Sequence, residues 1–345
     1  MWIWYEEKPE RGITLLRLYG SMPVVSLPEK IDGRPVTDLA PYAFSEKERI
    51  PDPECCRLAW VEETGASSSA DRGRFESERS AGLITPLAGD FIREVRLPDA
   101  LERIHDLCFY QCRKLKKLSF GSGEVEIGSD AFMNCRELAE IELRAASDQP
   151  TSLRRILSQR TAETDVWFDD AVVHFPEYQE KYDLIGPAHI FELNIEGEGF
   201  RARKCFEGEV FSLPMYDEVF RLAADKDRAR MERRENPPSL TASGYMAEES
   251  VGEGTEDERT MCRMAALRLC RPASLDEKYA DMYRDYLLLH GEAFIDEQIR
   301  QRDLSGFLEL RKQGVLKKEL ITLCLKKMTA ERWIEGTRAV LAAGD

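Results

Sequence analysis

The sequence predicts an α+β protein. It reads as a short solenoid on a parallel β ladder with a period of about 23 residues, then a small α/β segment, then a C-terminal α-helical hairpin bundle. Three observations carry this reading. Residues 92–114, 115–137 and 138–160 are successive copies of one pattern, with Val95, Leu118 and Ile141 at one position and Leu97, Phe120 and Leu143 at another. Residues 236–258 form a polar stretch rich in Pro, Gly, Ser and Glu, which suits a linker. Beyond it, apolar residues recur at helical spacing to 342.

The chain opens on Trp2, Ile3, Trp4 and Tyr5, then Ile13, Leu15, Leu16 and Leu18, two β segments around a charged turn at 6–12. They are expected to cap the solenoid, whose terminal core would otherwise face water. An imperfect copy follows at 24–44, with Val25 and Leu27 in the strand, Pro28 ending it, Val36 and Leu39 returning, and Ala43-Phe44 in the turn. It carries five extra residues around 30–34. The stretch 61–82 is rich in Ser, Gly and charge, and reads as a disordered, tolerated insertion.

In the regular copies, Val95 and Leu97 turn inward while Glu94 and Arg96 turn outward. Pro98 removes a ladder donor and stops the strand. Leu101 and Ile104 return over the core, and a small residue before an aromatic, Cys108-Phe109 or Ala131-Phe132, makes the tight turn. Cys112 and Cys135 close that turn as small, soft, buried side chains.

Residues 161–235 read as a second segment. A strand-to-helix passage is expected over 165–175 and 176–182, a strand at 189–195, a turn at 197–199, a strand at 200–206 and a helix at 215–234. Helices are then expected at 260–270, 275–290, 293–302, 305–313, 317–328 and 330–342, with Ser274 and Thr329 as N-caps and Gly291, Gly314 and Gly344 as stops. No T-P-L-H motif is present, so the reading stops at a helical hairpin bundle. The expected domains are 1–160, 161–235 and 259–345.

The runs LPEKIDGRPVTDLAPYAF (27–44), LPDALERIHDLCFYQC (97–112) and IGSDAFMNCREL (127–138) resemble the BspA-like leucine-rich repeat family over roughly 12–157. The resemblance implies protein–protein or ligand adhesion and brings no catalytic residues. Many members are exported to the cell surface. The run 175–208 resembles a segment that follows such repeats in proteins of anaerobic bacteria, and brings no activity with it.

Composition narrows the function. A net charge of −15 opposes a nucleic-acid backbone or an anionic membrane as the main partner, since both need a basic face. No apolar run approaches the length of a membrane span. The opening MWIWYEEKPERG has too short an apolar run for a signal segment. Nine cysteines, an odd number set mostly in apolar positions, suit reduced thiols. A cytoplasmic location is expected.

Sites of chemistry find little support. Cys108, Cys112 and Cys135 lack the knuckle spacing of zinc ligands. The vicinal Cys55-Cys56 pair follows Pro51 and Pro53, where a surface thiol pair is the alternative to packing. His105, His174, His189 and His290 are scattered outside any HExxH pattern. Gly121-Ser122-Gly123 and Gly197-Glu198-Gly199 are turns without the lysine or strand–helix context of a phosphate cradle. In the Arg-rich 228–235, Glu232 and Glu235, with Asp225 and Asp227 nearby, neutralise the cations.

No catalytic residue, metal or cofactor is therefore expected. The one surface the repeat predicts is the outward strand face: Glu94, Lys117 and Glu140 in one row, Arg96, Ser119 and Glu142 in the next. The expected function is a non-enzymatic interaction or scaffold protein with a protein partner. The alternatives are an enzyme whose site lies in 161–345, with the repeats as its recognition module, and a surface adhesin.

Overall fold

A computed structural model describes residues 1–8, 12–47, 56–62, 67–121, 123–186, 190–235, 258–302, 304–312, 314 and 318–342. The linker expected at 236–258 lies outside them except for Glu258, as do Cys55, Ser122, His189 and Gly344. The chain divides into two units, Met1–Asp169 with Phe206–Phe211, and Asp170–Cys205 with Ser212–Asp345. The expected boundary at 160 therefore moves to 169, and 161–235 is not a unit of its own. The cause is the ladder, which takes one more strand from 164–167 than the repeat pattern predicts.

The first unit begins with β1 (Trp2–Lys8) and β2 (Gly12–Gly20), paired antiparallel. Next come β3 (Val24–Ser26), β4 (Lys30–Ile31) and β5 (Arg34–Leu39). The extra residues of the first copy make the β4–β5 hairpin, whose tip, Asp32-Gly33, has φ of 49° and 79°. That is the Asp-Gly signature of a two-residue turn with both φ positive. Two strands, β6 (Arg57–Val61) and β7 (Ser67–Ser69), extend the sheet beyond β1, and β8 (Thr85–Pro86) pairs with β2.

A helix stands where disorder was expected. Helix α1 (Arg72–Ser80) is capped by Asp71, which accepts from the Gly73 amide at 2.8 Å. It buries one large residue, Phe75, against Trp2, Trp4 and Tyr19, with ring centroids 5.6, 5.8 and 5.1 Å away, edge to face. Arg72 lies 5.4 Å over Trp4, and Arg74 lies 5.4 Å over Trp2 and 5.0 Å over Trp60. Trp2 Nε1 donates to Glu78 at 2.8 Å. The arginines that made this stretch look soluble are its anchors, through cation–π contacts. Cys56 is buried in the same cluster rather than presented as a surface thiol.

The repeats build two parallel ladders. One runs β3, β9 (Glu94–Arg96), β11 (Lys117–Phe120), β13 (Glu140–Leu143) and β14 (Thr164–Trp167). Its register sets Val25, Val95, Leu118, Ile141 and Val166 side by side, all buried. The other runs β2, β5, β10 (Arg103–Ile104) and β12 (Glu126–Ile127). Helix α2 (Leu153–Leu157) follows β13 and buries Leu153, Ile156 and Leu157.

The second unit contains β15 (Val172–Phe175), buried throughout, and an antiparallel hairpin of β16 (Gln179–Gly186) and β17 (Ile190–Glu196). The hairpin expected across 197–199 is thus one strand earlier, and 176–182 is not helical. After Gly197, at φ 99°, the chain turns into the short helix α3 (Gly199–Ala202). A Cβ on Gly199 would stand 2.2 Å from the Pro176 carbonyl oxygen, so only glycine allows this close approach. Buried Arg203 donates to the Pro176 carbonyl and lies 5.1 Å over Tyr178, which draws the chain inward through α3 where an outward strand over 200–206 is expected. Its last part forms β18 (Phe206–Glu207), paired with β19 (Val210–Phe211) inside the first unit.

Helices α4 (Leu213–Glu235), α5 (Glu258–Cys270), α6 (Glu277–Leu289), α7 (Gly291–Gln301), α8 (Leu304–Lys312), α9 (Lys318–Ala330) and α10 (Ile334–Ala342) complete the second unit. Two expected caps shift. Asp276, not Ser274, caps α6 through the Lys278 amide at 2.9 Å. Thr329 caps nothing, because its hydroxyl bonds back to the Leu325 carbonyl at 2.6 Å and α9 runs through it. Gly291 opens α7 instead of ending α6, and a Cβ there would meet Leu320 at 2.3 Å.

Candidate functional site

The pleat of the first ladder sends alternate residues outward. Register aligns Val24, Glu94, Lys117, Glu140 and Asp165 in one row, and Ser26, Arg96, Ser119, Glu142 and Trp167 in the next. All six residues expected on this face therefore do lie in adjacent registered rows. Glu94, Arg96 and Glu140 are exposed, and Lys117 and Glu142 are half-exposed. Ser119 departs from the expectation at 6% exposure, and Asp165 is buried too. Lys117 Nζ reaches diagonally to Glu142 at 3.1 Å and sits 3.8 Å from Glu140. Such half-exposed pairs contribute about 0.2–1 kcal/mol each, so this lattice organises the surface more than it holds the fold.

Sequence reasoning missed both margins of this surface. Val24 and Ser26 stand at one edge, and Asp165 and Trp167 at the other. The first pair is legible, since Val25 and Leu27 face inward and their neighbours must face out. The second is not, because 161–167 no longer follows the repeat's consensus.

Behind the strands, the return turns form a column. Phe44 stacks on Phe109 at 4.7 Å and Phe109 on Phe132 at 5.6 Å, with nearly parallel ring planes. Cys112 Sγ donates to the Phe44 carbonyl and Cys135 Sγ to the Phe109 carbonyl, each at 3.1 Å. These cysteines thus do more than fill space: each adds a second donor to a carbonyl that already accepts a backbone amide, from Gly89 at 2.8 Å for Phe44 and from Cys112 at 3.1 Å for Phe109. Burial pushes the Cys108 and Cys112 thiols well above their ordinary range, so they remain S–H donors. Each turn also needs left-handed backbone, at Tyr42, Leu107 and Asp130, and again at Gln111 and Asn134.

Residues 88–157 match the family model of the BspA type leucine rich repeat region, in six copies. No curated protein and no solved structure matches the chain. The copy at 24–44 precedes the matched BspA-type region but pairs with its first strand through β3. Side-chain staples across this region join residues 23 apart: Arg103 with Glu126, Asp106 with the Ser129 amide, and Lys114 with Glu137. The Lys114 ammonium holds the Glu137 carboxyl below its usual range. At the ends of three strands, Arg144 donates to the Phe120 and Leu97 carbonyls at 3.0 and 2.8 Å. The BspA-type repeat points to protein–protein interaction or surface binding.

In the second unit one polar cluster is sealed. Arg268 makes a two-point pair with Asp217 at 2.9 and 3.1 Å, and the Tyr283 hydroxyl donates to Asp217 at 2.8 Å. All three are fully buried, and desolvation raises the Tyr283 phenol far above its ordinary range. A substrate cannot reach such a cluster, so its chemistry is that of a core ion pair. Among the described residues no group of three or more His, Cys, Asp or Glu is placed to hold a metal ion, and no helix is long and apolar enough to cross a membrane.

Proposed function

We propose that the first unit is a short leucine-rich repeat solenoid acting as a non-enzymatic protein–protein interaction module, a scaffold that recognises its partner through the outward strand rows. The observation that carries this reading is the registered, mixed-charge face of Glu94, Arg96, Lys117, Glu140 and Glu142 on a stiff parallel ladder. Three carboxylates and two cations, alternating across the ladder, suit a protein surface of complementary charge better than a polyanion. A cytoplasmic setting accords with Cys112 and Cys135, whose structural role requires the reduced S–H form.

Partner capture tests the reading. Lys117→Glu sets four adjacent carboxylates, Glu94, the new glutamate, Glu140 and Asp165, in one row, so capture by the variant should fall about tenfold or more while circular dichroism stays unchanged. Unchanged capture would remove the strand face from the function. A catalytic activity in the purified chain that survives Lys117→Glu would instead favour an enzymatic second unit.

A further inference from the structure

Among the described residues the first ladder ends at β3. The Pro23 carbonyl accepts from the Arg93 amide at 2.8 Å, and the Leu27 amide donates to the Arg96 carbonyl at 2.9 Å, so β3 meets β9 through its odd-numbered residues. In a parallel pair the intervening residues aim their backbone groups the other way. The N–H and C=O groups of Val24 and Ser26 therefore face the free side, where no further strand stands among the described residues. Proteins usually protect such an edge with charge, proline within the strand, a cover, or a very short strand, and β3 is short at three residues. Here the edge is apolar: Val24 is 55% exposed and Met22 63% exposed. Leu83, 65% exposed, lies two residues before Thr85, which pairs with Gly20 on the chain leading into β3. Pro23 and Pro28 bound the edge to one short strand.

We infer that β3 is a strand-addition site for an extended peptide of a partner protein, one with apolar residues at alternate positions and basic residues between them. Main-chain bonds to Val24 and Ser26 would hold the peptide as one more rung, and Val24, Met22 and Leu83 would receive its apolar side chains. The charge of the chain, −15, selects basic residues in the partner and disfavours a second copy of this protein. An edge of three residues is also too short for the roughly 1,000 Å² of a stable dimer. This site is separate from the charged rows and does not depend on their role.

The test is amide hydrogen exchange on the full chain with an eight-residue peptide of alternating valine and lysine. Exchange at Val24 and Ser26 should slow at least fivefold with peptide, and should not slow with the same peptide N-methylated along one edge. Val24→Lys, which sets a charge on the edge and leaves Val25 in the core, should weaken peptide binding about tenfold with unchanged thermal stability. Equal slowing by the N-methylated peptide, or no slowing by either, would overturn the inference. So would a concentration-dependent dimer abolished by Val24→Lys, because the edge would then belong to a second copy.

Discussion

At the residue scale, the repeat is held by groups that each answer a neighbour one coil away. The phenylalanine and cysteine positions were legible because side chains of one size recur at a fixed spacing. Their hydrogen bonds were not, since the acceptors, the Phe44 and Phe109 carbonyls, belong to the preceding coil. Phe109, stacked on both sides and fully buried, is the central ring; Phe109→Ala should cost about 3–5 kcal/mol in urea unfolding. A loss under about 1 kcal/mol would show that the stack does not bear on stability. Asp38 provides a pH handle. Burial alone would raise its pKa, but hydrogen bonds from Lys8 at 2.9 Å and Thr37 at 2.8 Å, with His105 at 3.4 Å, hold it below the ordinary carboxylate value. A depressed folded-state pKa contributes stability above the unfolded value and loses it as pH falls through the folded one. Stability should therefore drop below about pH 4, and Asp38→Asn should make that drop shallower. An identical acid limb in the variant would refute the assignment.

At the element scale, α1 is the clearest divergence between sequence and structure. Its stretch has one large apolar residue and a glycine inside the helix, so neither propensity nor periodicity signals it. The helix exists because Trp2, Trp4 and Tyr19 make a ready-built aromatic seat for Phe75, which is 1% exposed, and because Arg72 and Arg74 cover the rings. Phe75→Ala should detach α1 from this seat. Tryptophan emission should then shift to the red, and a protease should cut between 70 and 82 first, while the parallel ladder persists. Intact resistance to cleavage in Phe75→Ala would mean that the arginines hold the helix without its anchor. The same logic explains α3: the strand expected at 200–206 yields to Arg203, whose partners, the Pro176 carbonyl and Tyr178, come from a distant turn.

At the scale of the whole molecule, thiol chemistry tests the packing within each unit. Cys108, Cys112, Cys135, Cys205, Cys262 and Cys324 are buried, and burial pushes the Cys205 and Cys324 thiols up to about 12. In the native protein these thiols should resist an aromatic disulfide reagent at pH 8, whereas the half-exposed Cys270 should react within minutes. All of them should react once the chain is unfolded. Rapid native labelling of Cys112 or Cys135, located by peptide mass, would contradict the closed turn column.

By itself the sequence determined the parallel register at 23-residue spacing, the inward and outward faces of each strand, the aromatic and cysteine positions of the turn, and the helical character of the C-terminal third. Those features follow from periodicity, since a repeated pattern repeats its own environment and local chemistry is enough to read it. Tertiary structure alone decided the seat of α1, the inward turn of 200–206, the fifth rung at 164–167, the buried Asp217–Arg268 pair and the burial of Ser119. Each depends on groups far apart in the chain, brought together only when the apolar faces close, and charged side chains gain their partners at that step.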